Sequence, residues 1–276
     1  MRGRGLTLGL PPILLVGGGK MGGAMLAGWR ERGLAPSLVI DPAPGAQALA
    51  GGPVEVVASA EGRQFRPAAV VLATKPQVAR TAVPAASALF GEAVILSIMA
   101  GQTVAGLRAL VGPSHAIVRA MPNTPAAVRQ GITVAFAGPG VTEAQRALCH
   151  SLLEAIGVVA WVDDEALIDP VTAVSGGGPA YVFLLAELLE RAAVEQGIPA
   201  DLARTLARVT VSGSGALLAA SAQDAADLRI AVTSPGGTTE RALAVLMAEW
   251  PTAMSRAIAA ATERSRELGR SRELGD

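Results

Sequence analysis

The feature that most constrains the fold is a glycine-rich loop between a predicted buried strand and a predicted helix. Ile13–Val16 is wholly apolar, as in strands that are buried on both faces of a parallel sheet. It leads directly into Gly17-Gly18-Gly19-Lys20-Met21-Gly22 and then into Ala24–Ala27, which reads as a helix. This fits G-x-G-x-x-G, whose glycines permit a tight turn, a close approach of the backbone to a pyrophosphate, and close packing of the helix. Asp41 ends a second predicted strand, Leu38–Ile40, at the roughly 20-residue distance expected of a ribose-binding carboxylate.

The alternation of strands and other segments continues to about residue 163. Six more short apolar runs are predicted to be strands: Val54–Val57, Ala69–Ala73, Ala93–Ile98, Ala116–Val118, Ile132–Phe136 and Val158–Val162. Repeated βα units predict a doubly wound, parallel sheet of the Rossmann type, with ligands at the carboxyl ends of its strands.

From Asp164 onward the strand pattern stops, and four segments show helical spacing: Pro179–Gln196, Ala200–Ala220, Ala225–Val232 and Thr239–Gly269. The fold class is therefore α/β, a Rossmann-type sheet followed by an all-helical carboxy-terminal domain. We predict an amino-terminal tail over residues 1–10, a dinucleotide-binding domain over 11–163, a helical domain over 164–270 and a carboxy-terminal tail over 271–276.

Composition restricts the partners. The net charge is zero, so no basic face for nucleic acid is indicated. One cysteine, Cys149, excludes an internal disulfide framework and favours a reducing compartment. No run of about 18 uncharged apolar residues, the length needed to span a bilayer, is present. We expect a cytoplasmic protein with no membrane, nucleic-acid or metal partner.

The candidate cofactor contacts lie in the glycine loop and directly after later strands, where the carboxyl edge of the sheet is expected. They are Gly17, Gly18, Gly19, Lys20, Met21, Gly22, Asp41, Ala73, Thr74, Lys75, Pro76, Met99, Ala100, Gly101 and Asn123.

Two further glycine turns, each opening a helix, predict a site for a small acid. One is Thr233-Ser234-Pro235-Gly236-Gly237-Thr238-Thr239-Glu240, and the other is Ser175-Gly176-Gly177-Gly178-Pro179. The first N–H groups of a helix lack internal acceptors and lie at the positive end of its dipole, so they favour a carboxylate or phosphate.

The side chains that are missing restrict the chemistry. Lys20 and Lys75 are the only lysines, and the sole tyrosine, Tyr181, has no lysine near it in the sequence. No usual proton-transfer side chain is therefore positioned for a hydride transfer to a carbonyl. A protonated C=N acceptor needs none, because it carries its own charge, so an imine substrate is favoured over a hydroxy acid.

Four ordered motifs resemble those of the pyrroline-5-carboxylate reductase family, and the likeness extends from Ile13 to about Gly269. They are Leu72–Gln77, Arg119–Pro125, Thr172–Tyr181 and Val232–Thr239. The resemblance implies hydride transfer from NADPH or NADH to the C=N bond of 1-pyrroline-5-carboxylate, which gives proline in the last step of proline biosynthesis. It also implies that the helical domain forms a dimer and that dimers assemble into a larger ring.

The resemblance also implies roles for particular residues. Gly17 to Gly22 would hold the pyrophosphate, and Ala73 to Pro76 with Met99 to Gly101 would line the nicotinamide end. Thr239 would hydrogen-bond the substrate ring nitrogen and is the catalytic candidate. The implied substrate contacts are Glu165, Ser175, Ser234, Gly236, Gly237, Thr238 and Thr239.

Asp41-Pro42 departs from the resemblance, since members that prefer NADPH often have a small polar residue and then a base there. A carboxylate would repel a 2′-phosphate and bind a free 2′-hydroxyl, so we expect NADH to be tolerated or preferred.

Three alternatives stay open at this point. A β-hydroxyacid dehydrogenase would need a lysine in the helical half, which this chain lacks. A non-catalytic redox sensor would not need the Ser234–Thr239 turn. A reductase of a related cyclic imine would share every motif.

Overall fold

The structure, a computed structural model, describes the backbone of residues 9–274 and side chains as far as Arg270. Residues 1–8 of the predicted amino-terminal tail, and residues 275–276 of the carboxy-terminal one, lie outside the described residues. The backbone of residues 271–274 continues the last helix, so the helix extends beyond its predicted end at Gly269.

Eight strands form one sheet in the order β3-β2-β1-β4-β5-β6-β7-β8. They are β1 Ile13–Val16, β2 Ser37–Ile40, β3 Val54–Val57, β4 Ala69–Leu72, β5 Val94–Ser97, β6 Ile117–Met121, β7 Gly131–Ala137 and β8 Gly157–Val162. Every predicted strand is confirmed, with bounds that shift by at most a few residues. The sheet order reverses between β1 and β4, which is the point where a doubly wound sheet opens a crevice for a ligand.

The sheet is parallel, as predicted, except at one pair of strands. β6 and β7 pair antiparallel, whereas the other six strand pairs are parallel. The connection between them holds only a short 3₁₀ helix, Thr124–Val128, and Arg129 with a φ of 61°. A parallel pair needs a crossover of a dozen or more residues, and this connection is too short to supply one.

Helices cover both faces of the sheet. They are α1 Lys20–Glu31, α2 Pro76–Ala86, α3 Val104–Val111 and α4 Glu143–Glu154. Side chains of α1 and α4 join the core on one face, and those of α2 and α3 join the core on the other. Trp29 of α1 is fully buried, and its Nε1 donates to the carbonyl oxygen of Leu152 in α4 at 2.8 Å. Both faces of the central strands are therefore dry, which explains why β1 and β4 are apolar throughout.

The carboxy-terminal part is helical, as predicted. It contains α5 Ile168–Val171, a π-helical stretch Thr172–Gly176, α6 Gly178–Glu195, α7 Ala200–Ala220, α8 Ala225–Ala231 and α9 Thr238–Leu274. α6 packs against α7, and both keep large apolar side chains exposed in the single chain, such as Phe183 and Val209. Within the described residues, one helical stretch, Glu165–Glu195, is long and apolar enough by composition alone to cross a membrane.

The chain divides into two compact units, one made of the residues up to Gly176 and from Ala261 onward, and the other of Gly177–Ala260. The first unit contains the sheet and also the end of α9, where Thr262 and Ser265 are buried. The strand pattern stops near residue 163, as predicted, yet the segment after it stays with the sheet. The predicted domain boundary at residue 163 stays a prediction.

Candidate active site

The glycine loop has the backbone geometry that the motif requires. Gly17 has a φ of 101°, and a Cβ there would lie 2.8 Å from the backbone carbonyl of Ala73. A Cβ on Gly22 would collide with the carbonyl oxygen of Gly17. Gly19 caps α1 in an extended conformation, and a Cβ on it would meet no atom within 4 Å. The turn and the helix packing thus require glycine at two positions, and the cap of α1 is open on its outer side, where a phosphate would approach.

Asp41 is fixed by two backbone donors. Its Oδ2 accepts from the N–H of Gly18 at 2.6 Å, and its Oδ1 accepts from the N–H of Ala43 at 2.8 Å. Residues 42–49, which follow it, contain no lysine or arginine. Arg30 is directed elsewhere, since its Nη2 donates to the carbonyl oxygens of Leu49 and Gly51. A carboxylate, with no basic residue after it in this loop, therefore stands at the end of β2.

The loops after β4 and β5 meet beside the glycine loop, because β1, β4 and β5 are neighbours in the sheet. The Oγ1 hydroxyl of Thr74 donates to the Sδ atom of Met99 at 3.1 Å. Met99 is buried, and Gly101 has a φ of 66°. Among the other predicted contacts, Ala73 and Met21 are partly buried and pack on the core, Lys75 caps α2, Pro76 begins it, and Lys20 and Ala100 are exposed. The sheet edge thus brings together the predicted cofactor residues of three loops.

A buried charge cluster lies at the carboxyl end of β6. The Nη1 of Arg119 donates to the Oε1 of Glu165 at 2.9 Å, and its Nη2 lies 3.8 Å from the Oδ1 of Asp169. The Arg119 side chain is 4% exposed, against 26% for Glu165 and 17% for Asp169. Sequence reasoning placed Arg119 in a motif but gave it no role. An arginine inside an apolar strand was the available signal, since a buried guanidinium needs partners.

Asn123 holds two segments together. Its Oδ1 accepts from the N–H of Ile132 at 2.9 Å, and its Nδ2 donates to the carbonyl oxygen of Ser175 at 3.1 Å. The Ser175 hydroxyl donates to the carbonyl oxygen of Val171 at 3.0 Å, inside the helical stretch. The side-chain amide of Asn123 is therefore engaged at both ends by backbone, and its predicted cofactor contact stays a prediction.

The turn that precedes α9 has the predicted form and contains an internal carboxylate. Gly236 has a φ of 72°, and its N–H donates to the Oε2 of Glu240 at 2.7 Å. The N–H of Gly237 donates to the carbonyl oxygen of Ser234 at 3.0 Å. Thr238 and Thr239 form the first turn of α9, and both are exposed, as is Ser234. The turn therefore presents backbone N–H to a carboxyl group, and in this structure that group is the chain's own.

The remaining reactive side chains are engaged structurally. Burial raises the pKa of the Cys149 thiol to about 12, so the thiol stays protonated near neutral pH. His150 Nδ1 accepts from the Nε1 of Trp161 at 3.2 Å, and His115 packs edge-on against Phe90. Across residues 9–274, no group of three or more His, Cys, Asp or Glu side chains could hold a metal ion.

The fold and this sheet edge define the class of protein: an oxidoreductase that binds a nicotinamide dinucleotide in a Rossmann-type unit and carries a helical carboxy-terminal region. Residues 12–101 match a family model described as NADP oxidoreductase coenzyme F420-dependent. Residues 165–268 match one described as pyrroline-5-carboxylate reductase dimerisation. The pyrroline-5-carboxylate reductase of Pseudomonas aeruginosa is 39% identical over 264 residues, which cover 94% of this chain and 97% of that protein. The chain belongs to the pyrroline-5-carboxylate reductase family.

Other relatives and solved structures agree. The Arabidopsis thaliana pyrroline-5-carboxylate reductase is 37% identical over 204 residues, 73% of each chain. The structure of a pyrroline-5-carboxylate reductase from Coxiella burnetii matches with a TM-score of 0.84 and 33% identity, covering 93% of this chain and 97% of that one. A Plasmodium falciparum pyrroline carboxylate reductase with NADP bound matches with a TM-score of 0.80 and 26% identity, covering 94% and 98%. A 3-hydroxyisobutyrate dehydrogenase from Mycobacterium tuberculosis, at 19% identity and a TM-score of 0.50, shares the fold alone.

The family match also gives a role to the exposed apolar helices. The dimerisation model covers α6, α7 and the whole apolar stretch Glu165–Glu195. Self-association is thus a property of this chain, and it supplies a way to bury large apolar surfaces that a single chain leaves in water.

Proposed function

We propose how this chain carries out its reaction, the reduction of 1-pyrroline-5-carboxylate to L-proline with a hydride from NAD(P)H. The substrate enters as a cyclic iminium, and the hydride forms a C–H bond at the C=N carbon while the π electron pair moves to nitrogen. Bound at the sheet edge, the reduced nicotinamide supplies that hydride. The observation that carries the proposal is that the glycine loop, Asp41 and the Met99 loop follow the carboxyl ends of β1, β2 and β5, on one edge of the sheet. The chain that shows this arrangement belongs to the reductase family. Loss of reduced-nicotinamide absorbance on adding pyrroline-5-carboxylate, with proline as the product, tests it.

The dinucleotide fits the glycine loop in our assignment. The open side of the Gly19 cap would receive the pyrophosphate on the first N–H groups of α1, with Lys20 and Met21 beside it. Ala73 to Pro76 and Met99 to Gly101 would line the nicotinamide end. The support is that Thr74 and Met99 already contact each other across two strands.

The substrate acid group would be held by the turn before α9. Ser234, Gly236, Gly237 and Thr238 would bind the carboxylate, and the support is that Gly236 already donates to the carboxylate of Glu240. Substrate would take over that donor, and Glu240 would turn away. Thr239, in the first turn of α9, would hydrogen-bond the ring nitrogen, and Glu165 and Ser175 would lie close to the substrate. Catalysis then rests on positioning and electrostatics, without a covalent intermediate.

NADH is proposed to be tolerated or preferred as the cofactor. The Asp41 carboxylate is held by the N–H groups of Gly18 and Ala43, so it cannot turn away from an incoming 2′-phosphate. No lysine or arginine in residues 42–49 would neutralise that phosphate. A free 2′-hydroxyl can instead donate to the carboxylate. A kcat/KM for NADPH that far exceeds the one for NADH would contradict the assignment.

The proposed assembly is a ring of dimers in the cytoplasm. A contact between two subunits would bury the apolar side chains that α6 and α7 expose in the single chain. Both helices lie in the region matched by the dimerisation model. Light scattering coupled to gel filtration tests the assembly. A dimer at all concentrations would contradict the ring while leaving the reaction unaffected.

A further inference from the structure

Arg119 is a buried charge that the reaction as described does not use. It lies in β6 with Ser97 of β5 as its register partner, so the two side chains point to the same face of the sheet. Ser97 is fully buried, and its Oγ accepts from the N–H of Met99 at 3.3 Å, in the loop that we assign to the nicotinamide. The Arg119 side chain therefore leaves the sheet on the same face as Ser97, in the strand next to the one that leads into that loop.

The partner of Arg119 also caps a helix. The Oε1 of Glu165 accepts from Arg119 at 2.9 Å and from the N–H of Val104 at 2.8 Å. Val104 is the first residue of α3, whose unpaired N–H groups and dipole favour a carboxylate. α3 begins directly after the loop that contains Met99 and Gly101. One carboxylate oxygen thus joins the buried guanidinium to the far end of the nicotinamide loop.

A second carboxylate extends the cluster to α9. The Oδ1 of Asp169 lies 3.8 Å from the Nη2 of Arg119 and accepts from the hydroxyl of Ser265 at 2.7 Å. One cation therefore faces two carboxylates, on the segment that leads to Ser175. Asn123, further along the chain after β6, attaches to the carbonyl oxygen of Ser175 at 3.1 Å. The end of β6 holds the segment Glu165–Gly176 at two separate positions.

We propose that Arg119 is a positioning residue for hydride transfer. Through Glu165 it fixes the start of α3 and hence the loop Met99–Gly101, and through Glu165 and Asp169 it fixes the segment that carries Ser175. The inference rests on the proposed assignment of those loops to cofactor and substrate. Arginine is suited to this task because its planar fork can face two carboxylates at once, which the single ammonium of lysine cannot reproduce.

The test compares Arg119→Met and Arg119→Lys with Arg32→Met, a control that removes an exposed arginine paired with Glu154 at 2.9 Å. For each variant we would measure kcat, the equilibrium Kd for NADH, the melting temperature, and the kinetic isotope effect with NADH deuterated at the transferred position. A misplacement of the reacting groups by about 1 Å lowers the rate by about 100-fold. Arg119→Met is expected to lose about that factor in kcat with the Kd for NADH retained and the isotope effect raised, because hydride transfer becomes rate-limiting. Arg119→Lys is expected to recover part of the rate, and Arg32→Met to match the parent.

A merely structural role predicts fewer folded molecules, each of which transfers hydride at the normal rate. The inference would therefore be overturned if Arg119→Met had the isotope effect of the parent and its kcat fell only as far as the fraction of molecules that bind NADH. If Arg119→Met does not fold, the isotope effect of Arg119→Lys decides in the same way. Failure of the proposed site assignment gives a different result: Thr239→Ala would then keep the kcat of the parent. A Thr239→Ala defect beside a parent-like kcat and isotope effect in Arg119→Met would remove the inference alone.

Discussion

The cofactor preference gives the sharpest test of the site. Asp41→Asn removes one negative charge and keeps a side-chain oxygen that can still accept from a backbone N–H. The parent carboxylate is fixed by donors at 2.6 Å from Gly18 and 2.8 Å from Ala43. It therefore stays in place when a 2′-phosphate approaches, and the repulsion is not relieved by movement.

The magnitude follows from Coulomb's law. Two unit charges about 5 Å apart repel by about 0.8 kcal/mol at the dielectric constant of water and by about 3 kcal/mol at an effective value near 20. Asp41 is partly exposed, so the lower half of that range, about 1–2 kcal/mol, is appropriate. Since about 1.4 kcal/mol is a factor of ten, Asp41→Asn should raise kcat/KM for NADPH about 5- to 30-fold. It should lower kcat/KM for NADH, because an amide oxygen is a weaker acceptor for the ribose hydroxyl.

The assay is the initial rate with each cofactor at saturating pyrroline-5-carboxylate, at low and high salt. Glu31→Gln is a matched control, because Glu31 lies in the same sheet unit at the other end of α1 and pairs with Arg129 at 2.7 Å. Its ratio of NADPH to NADH efficiency should equal that of the parent. An unchanged ratio in Asp41→Asn would refute the electrostatic reasoning, as would a parent that already strongly prefers NADPH.

Three further predictions follow from single residues. Thr239→Ala should lower kcat about 10- to 100-fold with NADH affinity retained, because one hydrogen bond to the reacting ring is lost. Thr239→Ser should restore most of the rate. A normal kcat in Thr239→Ala would remove the residue from the mechanism. Gly17→Ala should lower the free energy of unfolding by about 1–3 kcal/mol and weaken NADH binding, because φ at Gly17 is 101° and the new Cβ would lie 2.8 Å from the backbone of Ala73. Gly45→Ala is the control in the same melting experiment, because a Cβ at Gly45 would have no atom within 4 Å. Cys149 should resist thiol reagents in the folded enzyme near neutral pH and react after unfolding. Because folding raises its pKa from 9.0 to about 12, its contribution to stability should be complete below pH 9 and fall as the pH rises from 9 to 12, which melting curves of the parent against Cys149→Ala would show.

Local patterns in the sequence were sufficient for most of the fold. Wholly apolar four-residue runs are typical of strands covered on both faces, and all eight predicted strands are present. The spacing of Gly17, Gly22 and Asp41 predicted the turn, the close helix and the carboxylate at the end of β2, all of which are confirmed. Helical spacing and Gly-Pro punctuation placed α6 to α8 within a residue or two.

The direction of β7 was not available from periodicity. A strand's apolar pattern is the same whether its neighbour runs parallel or antiparallel, and only the short connection after Met121 distinguishes the two. In the same way, nothing local to Glu165 indicates that its carboxylate meets Arg119, which precedes it by 46 residues along the chain. The Asn123 bridge to Ser175 is equally long-range, and it engages an amide that sequence reasoning had assigned to the cofactor.

The sequence by itself determined what each segment is and which chemistry the family performs, because propensity, periodicity and motif spacing are properties of neighbouring residues. Only the tertiary structure decided which partners those residues take. Burial obliges the Arg119 guanidinium to pair with carboxylates, and the buried Ser265 hydroxyl of α9 donates to Asp169. The folding of the turn before α9 brings the N–H of Gly236 to the carboxylate of Glu240. Such pairings depend on distances in space that no local pattern encodes.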